Sequence, residues 1–258
     1  MKKFVKYGLI SFFTLILLAG ITVAVFLDSA LRSGTEKGIN FATQTGTKLD
    51  KASLSLLSGN LKLAGLDIKN PEGFEAGSSF IKLGASEVQV KPASLLSDKL
   101  EVDVAAIDGL ELSYIQPAEG KANYEVVLES INRLLPQADG SAPKEKAPPG
   151  NKAIHVGAIK FTNAKVHASV ASVAGMTVPG GPVKLTVPLP NFEMDNVTVK
   201  DGMPELTAQM TKELIAQLVK QIPQIGKAAL ASAKENLKNI DVKGATDAVK
   251  GLGNLFKK

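Results

Sequence analysis

Cysteine and tryptophan are both absent from the 258 residues. Without cysteine there is no disulfide framework and no thiolate metal site. The absence suits an oxidising compartment without demanding one. Histidine is scarce too: His155 and His167 are the only two, twelve positions apart in a strand-like stretch. With no cysteine to join them, they read as solvated or half-buried strand residues rather than metal ligands. The carboxylates are dispersed and carry no spacing that sets up an acid/base pair. P-loop, nucleophile-elbow and dinucleotide fingerprints are missing, and Pro179-Gly180-Gly181-Pro182 is a turn rather than a phosphate cradle. These absences predict a protein that is not an enzyme and holds no metal or cofactor. Aromatic residues make up 5% of the chain, and the formal charge of +5 comes from scattered lysines. That balance fits an anionic membrane surface better than nucleic acid, so no nucleic-acid partner is expected.

What the sequence does contain begins with a long apolar run. Lys2, Lys3 and Lys6 precede GLISFFTLILLAGITVAVFL, Gly8 to Leu27, twenty residues without a charge. At 1.5 Å per residue, a helix of that length spans about 30 Å, the hydrocarbon thickness of a bilayer. The run is longer than the ~7–15 residues of a signal-peptide core. It also ends without a clean A-x-A site, Thr22-Val23-Ala24 being the nearest approach. The favoured reading is an uncleaved single-pass anchor, with a cleaved signal peptide as the alternative. The basic flank keeps the N-terminus cytoplasmic and sends the body across.

Residues 28–47 read as a connector with a weak helical period. Leu27, Ala30, Leu31 and Gly34 share a face, Ile39 lies off it, and the stretch from Gly38 to Thr47 is expected to break the helix. From Lys48 the period is two, with Ala52, Leu54 and Leu56 facing one way. Ser58-Gly59-Asn60 and Asn70-Pro71-Glu72-Gly73 are turns, so this unit reads as a hairpin. Further strands are predicted over Phe80–Lys91, Leu100–Ile115 (one long strand or a bulged pair), Ile154–Val173, Val183–Leu189 and Val197–Val199. Prolines at 179, 182, 188 and 190 confine their stretch to a turn or a sheet edge. Asn123 to Leu135 shows a helical stripe, with Asn123 as its N-cap. Residues 136–152 read as a flexible loop. From Pro204 the pattern is helical, with Leu206, Met210, Leu214, Leu218 and Ile222 on one face. Pro223 ends or kinks that helix. A second helix, Gln224 to Ile240, and a weak third, Val242 to Phe256, are expected to follow. Nine lysines against four carboxylates between Lys212 and Lys258 make this tail basic.

One apolar spacing recurs in Leu61-x-Leu63-x-x-Leu66, Val102-x-Val104-x-x-Ile107 and Ile154-x-Val156-x-x-Ile159. A two-step followed by a three-step keeps one face aligned only if the strand carries a bulge or bend. The separations are unequal, so this is a repeated strand design and not a solenoid period. Together with Leu54 and Leu56, these residues are the candidate wall of an apolar groove for lipid acyl chains. The alternative is that they form an ordinary packed core beneath the helices.

The segment SLSLLSGNLKLAGLDIKNPEGF, Ser53 to Phe74, resembles the opening of bacterial AsmA-like proteins, with Asn70-Pro71-Glu72-Gly73-Phe74 its most specific element. VQVKPASLLSDKLEVDVAAIDGLELSY, IHVGAIKFTNAKVHAS and VKLTVPLPNFEM are similar to that family's later strands. The resemblance reaches about Asp201 and involves no catalytic motif. It implies an α+β, mainly β protein of the bacterial inner membrane. Its parts are a flank and anchor (1–27), the connector (28–47), a periplasmic β domain with a curved, groove-like antiparallel sheet (48–203), and C-terminal amphipathic helices (204–258). It further implies phospholipid as the ligand, envelope proteins as possible partners, and a role in lipid homeostasis. A membrane-tethered structural scaffold with no lipid groove is the alternative.

Overall fold

The computed structural model describes residues 27–75, 77–136, 141–146, 152–173, 175–178 and 180–238. The apolar run, apart from Leu27, lies outside the described residues, as do most of the expected loop 136–152 and the helix expected over Val242 to Phe256. Among the described residues no helix is long and apolar enough to cross a membrane.

Helix α1 occupies residues 27–43. It is followed by β1 (Thr47–Leu54), β2 (Asn60–Lys69), β3 (Ser79–Val90), a 3-10 turn (Pro92–Leu96), β4 (Lys99–Asp108), β5 (Glu111–Gln116) and α2 (Asn123–Asn132). Then come β6 (Ala153–Thr162), β7 (Lys165–Val170), a small hairpin of β8 (Ser172–Val173) and β9 (Met176–Thr177), β10 (Val183–Pro188), β11 (Phe192–Val199) and α3 (Gly202–Lys238). The class is α+β; among the described residues nine strands form one large sheet, with the long helix α3 against it.

That sheet is mixed, which corrects the antiparallel expectation. β4 runs parallel to β6, and β5 parallel to β7. Side-chain alternation reports which face is buried, not the direction of the neighbouring strand. The chain from Pro117 to Lys152, through α2, is the long crossover that a parallel pair requires.

The strands line up as six long rows: β1, β2, β3, β4–β5, β6–β7 and β10–β11. Every row breaks its period at one common level. Two successive residues there turn outward between inward neighbours: Asp50-Lys51, Ala64-Gly65, Gly84-Ala85, Asp108-Gly109, Thr162-Asn163 and Pro190-Asn191. The backbone stays paired across the break, Gly109 N donating to Thr162 O, Lys165 N to Leu110 O and Leu189 N to Ala164 O. Asp108 Oδ1 accepts from Thr162 Oγ1 at 2.6 Å and Asn163 Nδ2 at 2.7 Å, and these bonds hold its carboxyl below the usual carboxylate range. A second break crosses three rows at Asp103-Val104, Gly157-Ala158 and Asp195-Asn196. Breaks of this kind bend strands.

The helices complete the core. α1 runs along the outer edge of β1, where Glu36 Oε1 accepts from Leu49 N and Asp28 Oδ1 from Leu54 N. An edge strand is thereby covered. Gly38 does not break α1; a Cβ there would lie 2.8 Å from Met203 Cβ, so this glycine is where α1 crosses α3. Ile39 and Ala42, off the expected stripe, are buried, with Gly38 and Thr43 beside them. Asn123 is not the N-cap of α2. It is the first residue of the helix after Ala122, and its side chain is fully used elsewhere. Asn123 Oδ1 accepts from Ile115 N and Tyr124 N, and Nδ2 donates to Asn70 Oδ1 and Ser113 O. This joins α2 to β5 and to the turn at Asn70. Pro223 neither ends α3 nor splits it, since the helix continues to Lys238. The carbonyl of residue 219, deprived of its partner by proline, belongs to the exposed Val219, where water can serve it.

Candidate functional site

Call the end of the sheet where α1 begins proximal. At that end lie the β1–β2 turn, the 3-10 turn and the end of β11 that leads into α3. Beneath the sheet, from its proximal end to past the first break, lies an apolar cavity of about 200 Å³. Its floor is the inner face of β2, β3, β4 and β6. Its roof is the first turns of α3 (Met203, Leu206, Met210, Leu214), and Thr35 and Ile39 of α1 form a side. Among the described residues, the polar side chains on its surface are hydroxyls: Thr35, Ser86, Thr207 and Thr211. An enclosed engineered cavity of about 150 Å³ with a similar Leu/Ile/Phe lining stays dry and binds benzene.

Eight of the residues singled out in the sequence line this one cavity: Leu61, Leu63, Leu66, Val102, Ile107, Ile154, Val156 and Ile159. Three do not. Leu54 is buried against the start of α1, and Leu56 is 44% exposed in the turn beyond β1. Val104 is on the outer side of the break in β4, paired with Gln89 and Ala158. The parallel register with β6 sets Asp103-Val104 beside Gly157-Ala158, so in β4 the three-step runs from Val102 to Ala105. The inward residue is therefore Ala105. Spacing in β4 alone permits either phase; only its neighbour selects one. The roof residues were legible as a helical stripe, but nothing local showed which part of the sheet they would cover.

The cavity is open at one end and closed at the other. Leu61, Leu63, Leu66, Val88, Leu100 and Met210 line it yet are only half-buried, so it opens to solvent from the proximal end along β2. Towards the distal half, Val127 and Ile131 of α2 and Leu218 and Ile225 of α3 are all fully buried. These side chains fill the space between sheet and helices directly beyond the cavity and close it on that side. Phe161 stacks on Phe192 with ring centroids 4.4 Å apart, next to the bend. A second depression of about 480 Å³ lies distally, around Tyr114, Gln116, Glu125, Ser172 and Pro223. It is larger but substantially polar, and burial beside it pushes the Tyr114 phenol up to about 12. The apolar cavity is the one whose chemistry is specific.

The histidines are apart from it. His155 Nδ1 is 2.8 Å from Thr198 Oγ1, and His167 Nδ1 is 3.1 Å from Thr186 Oγ1, both in exposed positions. Among the described residues no cluster of His, Cys, Asp or Glu has the makings of a metal site. The exposed Lys212, Lys220 and Lys227 lie on the outward side of α3, while its apolar side packs on the sheet.

The family model of the AsmA family matches residues 1–170. No curated protein matched the chain.

Proposed function

The chain belongs to the AsmA family, and we propose that it is a non-enzymatic, membrane-anchored envelope protein that shelters a lipid acyl chain. Family membership supports the envelope and lipid setting. The single observation that carries the finer reading is the one-ended apolar cavity between the sheet and α3. A blind pocket takes the end of a hydrocarbon chain and leaves its headgroup outside. That makes it a holder or shield for one lipid at a time rather than a conduit. Phospholipid of the membrane that holds residues 8–27 is the proposed ligand, the body is placed in the periplasm, and envelope proteins are the proposed recipients or partners.

The filled space beyond the cavity, around Val127, Ile131 and Leu218, favours a second reading, a tethered scaffold that binds no lipid. Native mass spectrometry of the full-length protein extracted in mild detergent separates the two. Retained lipid mass on the wild type, lost in Leu63→Glu, is the expected outcome. Leu63 is half-buried, so the glutamate head can reach water while its charge bars an acyl chain from the wall. A wild type that never retains lipid, or a Leu63→Glu variant that unfolds, leaves the scaffold.

A further inference from the structure

Nothing in the pocket accounts for the outermost residues of the proximal end. Leu57 is 97% exposed and Leu96 is 95% exposed. Single exposed leucines are ordinary on a protein surface. These two sit on neighbouring connections at one end of one sheet, in the β1–β2 turn and at the close of the 3-10 turn. Their backbones are pinned. Val90 N donates to Gly59 O at 2.8 Å, and Gln89 Nε2 donates to Ser58 O at 2.6 Å. Lys152 Nζ donates to Leu95 O at 3.0 Å and Ser97 O at 2.8 Å. Two leucines are thus held outward on rigid turns.

The chain also enters at this end. Asp28, which accepts from Leu54 N at 3.1 Å, directly follows the apolar run of Gly8 to Leu27. The half-buried mouth residues Leu61 and Leu100 lie on the strands that begin at these same turns.

We propose that the proximal end docks on a phospholipid bilayer, with Leu57 and Leu96 entering the interfacial layer of the leaflet from which residues 8–27 emerge. Docking holds the pocket mouth against its lipid source. The proposal rests on the reading of residues 8–27 as an anchor. Lys91, Lys99 and Lys152 stand near the two leucines, but Asp98 and Glu101 stand among them, and Lys91 pairs with Glu101 at 2.9 Å. With the charges mixed, the attraction is apolar, and anionic lipid is not required.

Because the chain has no tryptophan, a single introduced one reports its own position. Full-length Leu57→Trp, Leu96→Trp and, as a distal control, Met176→Trp are reconstituted in phosphatidylcholine vesicles, with and without phosphatidylglycerol and with brominated acyl chains as quencher. The expected result is blue-shifted, bromine-quenched emission at positions 57 and 96, independent of phosphatidylglycerol, and water-like, unquenched emission at 176. Positions 57 and 96 behaving like 176, in protein that co-floats with the vesicles, overturns the docking and spares the anchor. Protein that does not co-float overturns both. Neither result alters the lipid retention read by mass spectrometry, which tests the pocket separately.

Discussion

Substituting Ala105 by phenylalanine tests the pocket by filling it. Ala105 lines the cavity from the middle of its floor, between Val88 of β3 and Ile159 of β6. An engineered apolar cavity of about 150 Å³ takes up benzene, six carbons. By the same proportion, the 200 Å³ here accommodates about eight carbons of an acyl chain. At about 0.8 kcal/mol per buried methylene, eight carbons gain about 6 kcal/mol on leaving water. A phenyl ring at position 105 occupies about six of those places and leaves about two. Acyl-chain affinity then falls by about 5 kcal/mol, roughly three orders of magnitude. Stability moves the other way. A ring entering empty apolar space gains about 1.5–3 kcal/mol, whereas overpacking a filled core costs about 1–3 kcal/mol. Titration with a fluorescent fatty acid reads the first quantity, and urea unfolding followed by circular dichroism reads the second. The reasoning is refuted if Ala105→Phe binds the fatty acid as the wild type does, or if it loses stability by the overpacking amount.

Three further predictions concern the frame around the pocket. Asn123→Leu strips partners from Ile115 N, Tyr124 N, Ser113 O and Asn70 Oδ1 at a fully buried site; at ~1–3 kcal/mol per orphaned group, a loss of at least about 3 kcal/mol is expected in urea unfolding. Gly157→Ala would set a Cβ 2.7 Å from Asp103 O, so the β4–β6 pairing must spread at the second bend, costing about 1–3 kcal/mol; an unchanged unfolding midpoint would show that this approach is not tight. Burial, with Tyr124 and Glu125 adding to it, pushes Tyr114 from 10.0 up to about 12. Its neutral phenol therefore favours the folded state below pH 10, and that contribution is lost as pH rises towards 12. Stability should fall over that window more steeply in the wild type than in Tyr114→Phe, and equal slopes would count against it.

Local pattern was enough for much of this protein. The period of two, the turns at Gly59 and Asn70, the edge position of the proline-rich β10–β11 row and the apolar face of α3 all follow from neighbours a few residues apart. The three-step gaps announced bends, because an inward face survives a skipped residue only where the backbone yields. Other decisions depended on contacts far along the chain. The phase of β4, and with it the exchange of Val104 for Ala105, is set by a parallel partner some fifty residues later. Gly38 reads as a helix breaker until Met203 of α3 is placed against it. Asn123 reads as a cap until Asn70, Ser113 and Ile115 claim its side chain. Which residues avoid water follows from their types and spacing. That they leave an apolar cavity under one part of the sheet and fill the space next to it follows from packing between distant elements. Hydrophobicity records the preference of each side chain, whereas a void depends on whether the opposing helices bring enough volume to fill the space between them.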